Sequence, residues 1–176
     1  MAQSANAANT APEFVFNRTF DAAREDVWDA FTQREHLKHW WGPPGCRIEI
    51  AHLELKPGGL FHYSMKLPDG RVMWARFVYR EISPPERLVW LNGFSDENGG
   101  LTRNPWIPNA NYPLETLSTL TLAERDGKTQ LTITAVPFQA SDEEALVFAG
   151  GINGMKMGFG AGFKLLADYL ARRARP

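Results

Sequence analysis

The stretch that decides the fold is residues 141–173, which read SDEEALVFAGGINGMKMGFGAGFKLLADYLARR. Ser141 and Glu144 form a capping box, and the acidic residues after Ser141 favour a helix start. Arg172 and Arg173 complement the helix dipole at the other end. At 100° per residue the apolar side chains fall within one stripe less than about 100° wide. That stripe comprises Phe148, Ile152, Met155, Phe159, Phe163, Leu166 and Leu170. The sequence therefore predicts one long amphipathic helix at the carboxyl end.

Six glycines lie inside this predicted helix: Gly150, Gly151, Gly154, Gly158, Gly160 and Gly162. Each costs about 1 kcal/mol relative to alanine, so the set costs about 6 kcal/mol, comparable with the net stability of a domain. Three features could offset this cost: a break near Gly150 and Gly151, close packing against another backbone, or free space beside the helix for a ligand. Charged residues within the helix exclude a membrane G-x-x-x-G dimer. A phosphate loop is excluded because no strand precedes the glycines and no G-K-[ST] follows.

Strand and turn signals fill most of the chain before this helix. Strands are predicted at residues 13–20, 46–55, 60–67, 71–82, 87–94, 115–124 and 129–137. Short turns such as Pro68-Asp69-Gly70 join many of them and force antiparallel pairing. The apolar alternation shifts at His52, which indicates a β-bulge. We therefore expect one curved antiparallel sheet of six or seven strands.

Two short helices are predicted after the first strand. Asp21 is expected to cap a helix that runs to about Phe31. Thr32 and Glu35 match a second capping box, which predicts a helix carrying His36, Leu37, His39, Trp40 and Trp41. The Gly42-Pro43-Pro44-Gly45 turn ends it.

Composition excludes several classes of protein. The chain has 176 residues, one cysteine and a net charge of −1, so it suits one domain without disulfides and is not expected to bind nucleic acid. Six Trp and eleven Phe indicate a bulky core, a large apolar pocket, or both. Residues 1–12 lack a secretory signal and are expected to be a disordered tail, and residues 145–170 carry too many charges for a membrane span. We expect a cytoplasmic protein.

The order of elements, one strand, two short helices, a run of antiparallel strands and a long helix, resembles the helix-grip fold of the START-like superfamily. Within it, the chain resembles the activator of heat-shock-protein-90 ATPase homologue 1-like family. The matching motifs are Arg18-Thr19-Phe20-Asp21-Ala22, Val27-Trp28, His36-Leu37-Lys38-His39-Trp40-Trp41-Gly42-Pro43, Lys56-Pro57-Gly58-Gly59, Pro68-Asp69-Gly70, Glu81-Ile82-Ser83-Pro84-Pro85-Glu86-Arg87-Leu88 and Asp126-Gly127-Lys128-Thr129, followed by Glu144, Phe148, Met155, Gly158, Leu166 and Leu170.

This resemblance implies a single α+β domain over residues 13–173, with a deep apolar cavity between the sheet and the last helix. Such cavities hold lipids, polyketides or other hydrophobic molecules, and most bacterial members have no assigned reaction. The family name comes from a eukaryotic co-chaperone whose separate chaperone-binding domain has no counterpart here, so a chaperone partner is not expected.

The candidate ligand-binding residues share aromatic or apolar bodies, or can contact a polar head group. They are Phe61, Tyr63, Met65, Trp74, Arg76, Phe77, Trp90, Phe94, Met155, Phe159, Phe163 and His62. Tyr63, Arg76 and His62 are the candidates for the head group. His52 and His62 are expected to lie across neighbouring strands, where they would form an acid–base pair if they face the cavity, or be ordinary surface residues if they face outward.

The remaining motifs lie outside the candidate ligand-binding set. His36 and His39, three residues apart on a short helix, could share a metal ion, but surface or core histidines are the simpler interpretation. Cys46 is expected to be an ordinary buried or half-buried residue. Residues 95–113 form a long irregular loop that either covers a binding site or is merely fixed to the surface. No catalytic, nucleotide or metal motif is present, so we assign no catalytic or metal-binding residue and no cofactor.

Three functions follow. The first is a module that binds a small hydrophobic molecule. The alternatives are a cyclase or hydrolase that uses the same cavity, and a chaperone ATPase co-activator. The sequence leaves open whether the protein forms a homodimer.

Overall fold

The computed structural model describes residues 11–108 and 110–174. Nearly all of the predicted tail, residues 1–12, lies outside the described residues. The described part contains seven strands, one four-residue helix and two longer helices.

The strands form one antiparallel sheet in the order β1-β7-β6-β5-β4-β3-β2. Their bounds are β1 (Phe14–Phe20), β2 (Arg47–Leu53), β3 (Leu60–Lys66), β4 (Val72–Ser83), β5 (Arg87–Ser95), β6 (Glu115–Arg125) and β7 (Lys128–Phe138). Each predicted strand is confirmed, with ends that move by at most two residues. The first strand, β1, pairs with the last strand, β7, so the chain returns to its first strand before the long helix begins.

The strands place alternate side chains on two faces. In β4, Met73, Ala75, Phe77 and Tyr79 are buried, whereas the residues between them are less so. We call the face that carries these four residues the inner face, and the opposite one the outer face. The register shifts between Ile50 and His52, as predicted, and again between Tyr79 and Glu81, where no bulge was expected. Such irregularities increase twist and bend the sheet.

Both predicted amino-terminal helices exist, but their predicted capping residues are wrong. Helix α1 (Arg24–Thr32) starts after Ala23 and α2 (Arg34–Leu37) starts after Gln33, and neither cap makes a side-chain hydrogen bond. Thr32 cannot cap α2 because its hydroxyl donates to the Trp28 carbonyl, 2.9 Å away, in the last turn of α1.

Helix α2 is also shorter than predicted, since it ends at Leu37. His39, Trp40 and Trp41 therefore lie in the turn that follows it. The indole Nε1 of Trp40 donates to the Ala30 carbonyl at 2.9 Å and ties this turn to α1.

The long carboxyl-terminal helix is confirmed as α3 (Asp142–Arg173) and is unbroken. Both bonds of the capping box are present: the Ser141 amide donates to Glu144 Oε2 at 2.7 Å, and the Glu144 amide donates to Ser141 Oγ at 3.2 Å. Of its apolar stripe, Phe148, Phe163, Leu166 and Leu170 are buried, but Ile152, Met155 and Phe159 in the middle are only half-buried. The helix lies on the inner face, which confirms the helix-grip architecture.

The glycines of α3 are neither at a break nor in close packing. A Cβ built on Gly150, Gly151, Gly154 or Gly158 meets no described heavy atom within 4 Å. At Gly162 the nearest atom is the Gly42 carbonyl oxygen at 3.7 Å, an ordinary contact distance. At these four glycines the helix therefore packs against no other part of the described chain, and Gly154 and Gly158 face solvent.

Replacing either of these two glycines is expected to stabilise the protein. Gly154→Ala and Gly158→Ala should each raise the free energy of unfolding by about 0.5–1 kcal/mol, because alanine is the better helix former and its methyl group meets open space. Urea denaturation measures the change. The control is Gly59→Ala, whose methyl group would collide with the Glu54 carbonyl oxygen and should destabilise. Loss of stability in both helix variants would contradict the prediction.

Candidate ligand-binding site

A cavity of about 180 Å³ lies between the inner face of the sheet and α3. It draws its walls from β1 and β3 to β7, from α1 and from α3. The lining residues are Phe14, Phe31, Trp41, Tyr63, Phe77, Trp90, Asn92, Tyr112, Thr116, Ser118, Ile133, Ala135, Phe148, Met155, Phe159 and Phe163. The cavity thus occupies the place where the middle of α3 stands away from the sheet.

Aromatic rings that pack on one another form most of the wall. Trp90 stacks on Phe77 with centroids 5.1 Å apart, and Trp41 meets the edge of Phe77 at 5.6 Å. On the opposite side Phe14 and Phe159 are 4.9 Å apart. Such contacts restrict ring movement, so the space has a defined shape.

A small polar patch interrupts this wall on β5 and β6. It consists of Asn92, Thr116 and Ser118, which the strand alternation places on the inner face. The Ser118 hydroxyl donates to Asn92 Oδ1 at 2.7 Å, and Asn92 lies opposite Thr116 in the register. Trp90 lies opposite Ser118, and its buried Nε1 has no hydrogen-bond partner among the described residues.

The lining carries no formal charge at neutral pH. None of the described lining residues is Asp, Glu, Lys, Arg or His. Burial raises the pKa of Tyr63 and of Tyr112 to about 12, so both phenols stay protonated. The site is therefore a neutral, mostly aromatic space with few polar groups.

Half of the predicted ligand-binding residues line this cavity: Tyr63, Phe77, Trp90, Met155, Phe159 and Phe163. Phe61 and Met65 share the inner face with Tyr63 but are buried in the core. Phe61 stacks on Tyr63 with ring centroids 4.6 Å apart, so it supports this residue of the cavity wall from within the core. Phe94 is half-buried against the core and does not reach the cavity.

His62, Trp74 and Arg76 do not face the cavity, which corrects the expectation from the sequence. Their strand neighbours Tyr63, Ala75 and Phe77 occupy the inner face, so alternation turns these three outward. The imidazole of His62 stacks on Trp74 at 4.8 Å, and Arg76 Nη1 donates to the Gly99 carbonyl at 2.8 Å. They fix the loop after β5 to the outer face.

The predicted pairing of His52 with His62 is present, but on the outer face. The two residues are partners across β2 and β3, with His52 exposed and His62 beneath the loop after β5, where its Nε2 lies 3.1 Å from the Asp96 carbonyl oxygen. An acid–base pair inside the cavity is therefore ruled out for these two histidines.

The loop of residues 95–113 is divided between the two faces. Residues 95–101 close a short turn on the outer face, where the Asp96 carboxylate accepts from the amides of Asn98 and Gly100, each at 2.8 Å. Near the other end Tyr112 reaches the cavity, with its ring 6.0 Å from that of Phe148 and its hydroxyl 3.6 Å from Met155 Sδ. Of the loop's described residues, Tyr112 alone contributes to the lining.

Sequence reasoning missed the polar patch. Thr116 and Ser118 lie in phase with the buried Leu120 and Leu122, so they occupy core-facing positions of β6. Small polar residues in phase with buried leucines were the signal that could have predicted this patch. They are hard to recognise because serine and threonine are also common on the exposed face of a strand.

His36 and His39 lie at the end of α3, away from the cavity. His36 Nδ1 is 2.6 Å from the Tyr169 hydroxyl and 3.0 Å from Arg173 Nη1, and the ring of His39 stacks on Tyr169 at 5.3 Å. In the described part of the chain, no three His, Cys, Asp or Glu side chains are grouped to hold a metal ion. These histidines join α2 and the turn after it to α3.

A curved antiparallel sheet that grips a long terminal helix and encloses an aromatic cavity defines the START-like class, whose fold is in general that of a ligand-binding domain. The chain belongs to the family of the activator of Hsp90 ATPase homolog 1-like protein, whose model matches residues 21–171. No curated protein matches. Within residues 11–108 and 110–174, no helix has the length and hydrophobicity needed to cross a membrane.

Solved bacterial structures share the fold over almost the whole chain. Protein Ms6760 from Mycobacterium smegmatis has 21% identity, covers 93% of each chain and gives a TM-score of 0.74. A protein from Arthrobacter aurescens has 25% identity, with 94% of this chain and 89% of that one covered and a TM-score of 0.75. One from Rhodobacter sphaeroides has 23% identity, coverage of 94% and 97%, and a TM-score of 0.72.

The burial of His36 and its contact with Arg173 predict a dependence of stability on pH. Burial and, after it, the Arg173 guanidinium hold the pKa of His36 below its ordinary value of 6.5, whereas Asp29 and Glu35 oppose this shift. The unfolded chain therefore binds this proton more readily, and the free energy of unfolding should fall as the pH is lowered through 6.5.

Arg173→Gln is expected to raise the pKa of His36, because it removes the nearby positive charge. An NMR titration of the imidazole measures it. Arg172→Gln, which removes the adjacent charge in the sequence, serves as the control and should leave the titration unchanged. Equal titration curves for wild type and Arg173→Gln would refute the prediction.

Proposed function

We propose that the protein binds a small, uncharged, largely apolar molecule in the cavity between the sheet and α3. The observation that carries this proposal is the neutral aromatic lining around a space of about 180 Å³. Tyr63, Phe77, Trp90, Met155, Phe159 and Phe163 are proposed as ligand contacts. The membership in a family with a ligand-binding fold supports the same conclusion.

The volume selects among the expected classes of ligand. An engineered apolar cavity of about 150 Å³ in another protein holds one benzene molecule, and pockets for larger ligands span about 300–1,000 Å³. A space of about 180 Å³ is thus suited to a molecule of one or two rings. We therefore favour an aromatic ligand over a lipid with a long acyl chain.

The chemistry of the lining favours binding over catalysis. A general acid or base works best with a pKa near the working pH. The two tyrosines of the lining have pKa values of about 12, and the described lining has no histidine or carboxylate. We therefore do not propose a cyclase or hydrolase reaction.

A role in chaperone activation has no support beyond the family name, so the proposal does not include it. The cytoplasmic location stays a prediction from the sequence.

A change of cavity volume tests the proposal. Wild-type protein is expected to bind toluene, indole or naphthalene, detected by thermal shift and by NMR. Ala135 is a small residue of the lining, so Ala135→Val should weaken binding and Ala135→Leu should weaken it by at least about tenfold, because the added carbons fill the space.

The control is Ala123→Leu, which adds the same atoms at an exposed position of β6 and should bind as the wild type does. Circular dichroism verifies that the variants are folded. If none of the three compounds binds, or if Ala135→Leu binds them as tightly as wild type, the proposed function is wrong.

A further inference from the structure

We infer that the cavity selects neutral carbonyl compounds, whose oxygen accepts hydrogen bonds from the side-chain amide of Asn92 and the indole Nε1 of Trp90. This inference rests on the proposed function and specifies its ligand class. One- or two-ring ketones, quinones or lactones have the required size and chemistry.

The first observation is that the side-chain oxygen of Asn92 is already engaged in a hydrogen bond. Its Oδ1 already accepts the hydrogen bond of the Ser118 hydroxyl, at 2.7 Å. An asparagine amide has one acceptor oxygen and a nitrogen with two N–H groups. Because the oxygen bonds Ser118, the N–H groups remain for a ligand. Asn92 is part of the cavity lining.

The second observation is the unused donor of Trp90. This residue is 3% exposed, and its Nε1 is buried without a hydrogen-bond partner among the described residues. Trp40 is equally buried, yet its Nε1 donates to the Ala30 carbonyl. Buried polar groups in native proteins are nearly always paired. The Trp90 side chain lines the cavity, and a ligand oxygen would pair with its buried Nε1 after a small shift of the indole ring.

These donors lie in one wall of the cavity. Trp90 and Asn92 are two residues apart on β5, so both belong to the inner face, and Ser118 and Thr116 lie opposite them on β6. The other walls are apolar or aromatic. A ligand would therefore place its ring against the aromatic side chains and its oxygen against this patch.

The charge of the lining restricts the ligand further. An ionised carboxylate buried without a cation loses its hydration without compensation, and the described lining contains no Lys, Arg or His. A cation would find aromatic faces, but the described lining has no carboxylate to balance its charge. A neutral acceptor fits both conditions.

Four probes of similar size and shape separate these properties: acetophenone, cumene, benzoate and phenyltrimethylammonium. Cumene carries a second methyl group where acetophenone has its oxygen, so it has a similar size but no hydrogen-bond acceptor. Binding to the ¹⁵N-labelled full chain is followed in proton–nitrogen NMR spectra, where the six tryptophans give six indole signals. Loss of one signal in Trp90→Phe identifies that of Trp90.

Acetophenone is expected to shift the signals of the Trp90 indole and the Asn92 side-chain amide. Asn92→Leu, which keeps the size of the side chain, should weaken acetophenone binding by about tenfold and leave cumene binding nearly unchanged. Trp90→Phe should likewise weaken the binding of acetophenone more than the binding of cumene. Benzoate and phenyltrimethylammonium should bind more weakly than acetophenone.

The matched control is Asn17→Leu. Asn17 is exposed on β1, and its Oδ1 accepts from the Thr132 hydroxyl at 2.7 Å, so this variant loses a comparable hydrogen bond away from the cavity. It should bind every probe as the wild type does.

The outcomes separate the two proposals. If acetophenone and cumene both bind and Asn92→Leu weakens them equally or not at all, the inference fails and the proposed function stands. Benzoate or phenyltrimethylammonium binding as tightly as acetophenone also overturns the inference, since the cavity would then accept charge. If none of the probes binds, the proposed function fails as well.

Discussion

The structure depends on the packing of one long helix against the inner face of a bent sheet. A helix of 32 residues is a rod about 48 Å long, whereas a sheet with two register shifts curves. The two surfaces cannot match along their whole length. Phe148 is buried before the middle of the helix, and Phe163, Leu166, Tyr169 and Leu170 are buried after it. Between them Met155 and Phe159 are only half-buried. The cavity is the volume that this mismatch leaves, and it is lined by the bulky aromatic residues of both surfaces.

The fold was readable from the sequence because its signals are local and repeated. Alternation and turn residues located every strand, and the Ser141–Glu144 pair located the start of α3. The caps of α1 and α2 were wrong because a matching pattern does not reveal which group a side chain bonds. Thr32 fits a capping box by spacing, yet its hydroxyl is used within α1. Such competition is decided by geometry that the sequence does not contain.

The site was only partly predictable, since both faces of the sheet carry aromatic side chains. On β4, Phe77 belongs to the cavity, and Trp74 stacks with His62 on the outer face under the loop after β5. Residue types alone do not show which face receives the helix. The polar patch shows the opposite error. In the sequence Ser118 resembles a solvent-facing residue, and only the register with β5 shows that it faces the cavity and bonds Asn92.

The glycines of α3 give the two sides of the cavity unequal local stability. On the sheet side, each strand from β3 to β7 is hydrogen-bonded to neighbours on both sides. On the helix side, every glycine lowers the free energy needed to unravel a turn, and such local opening is independent of global unfolding. Backbone amides around residues 150–160 should therefore exchange with solvent faster than those of β4 to β6. Transient local unfolding of this helical segment would let a ligand enter the cavity, while the strands keep their part of the cavity wall in place.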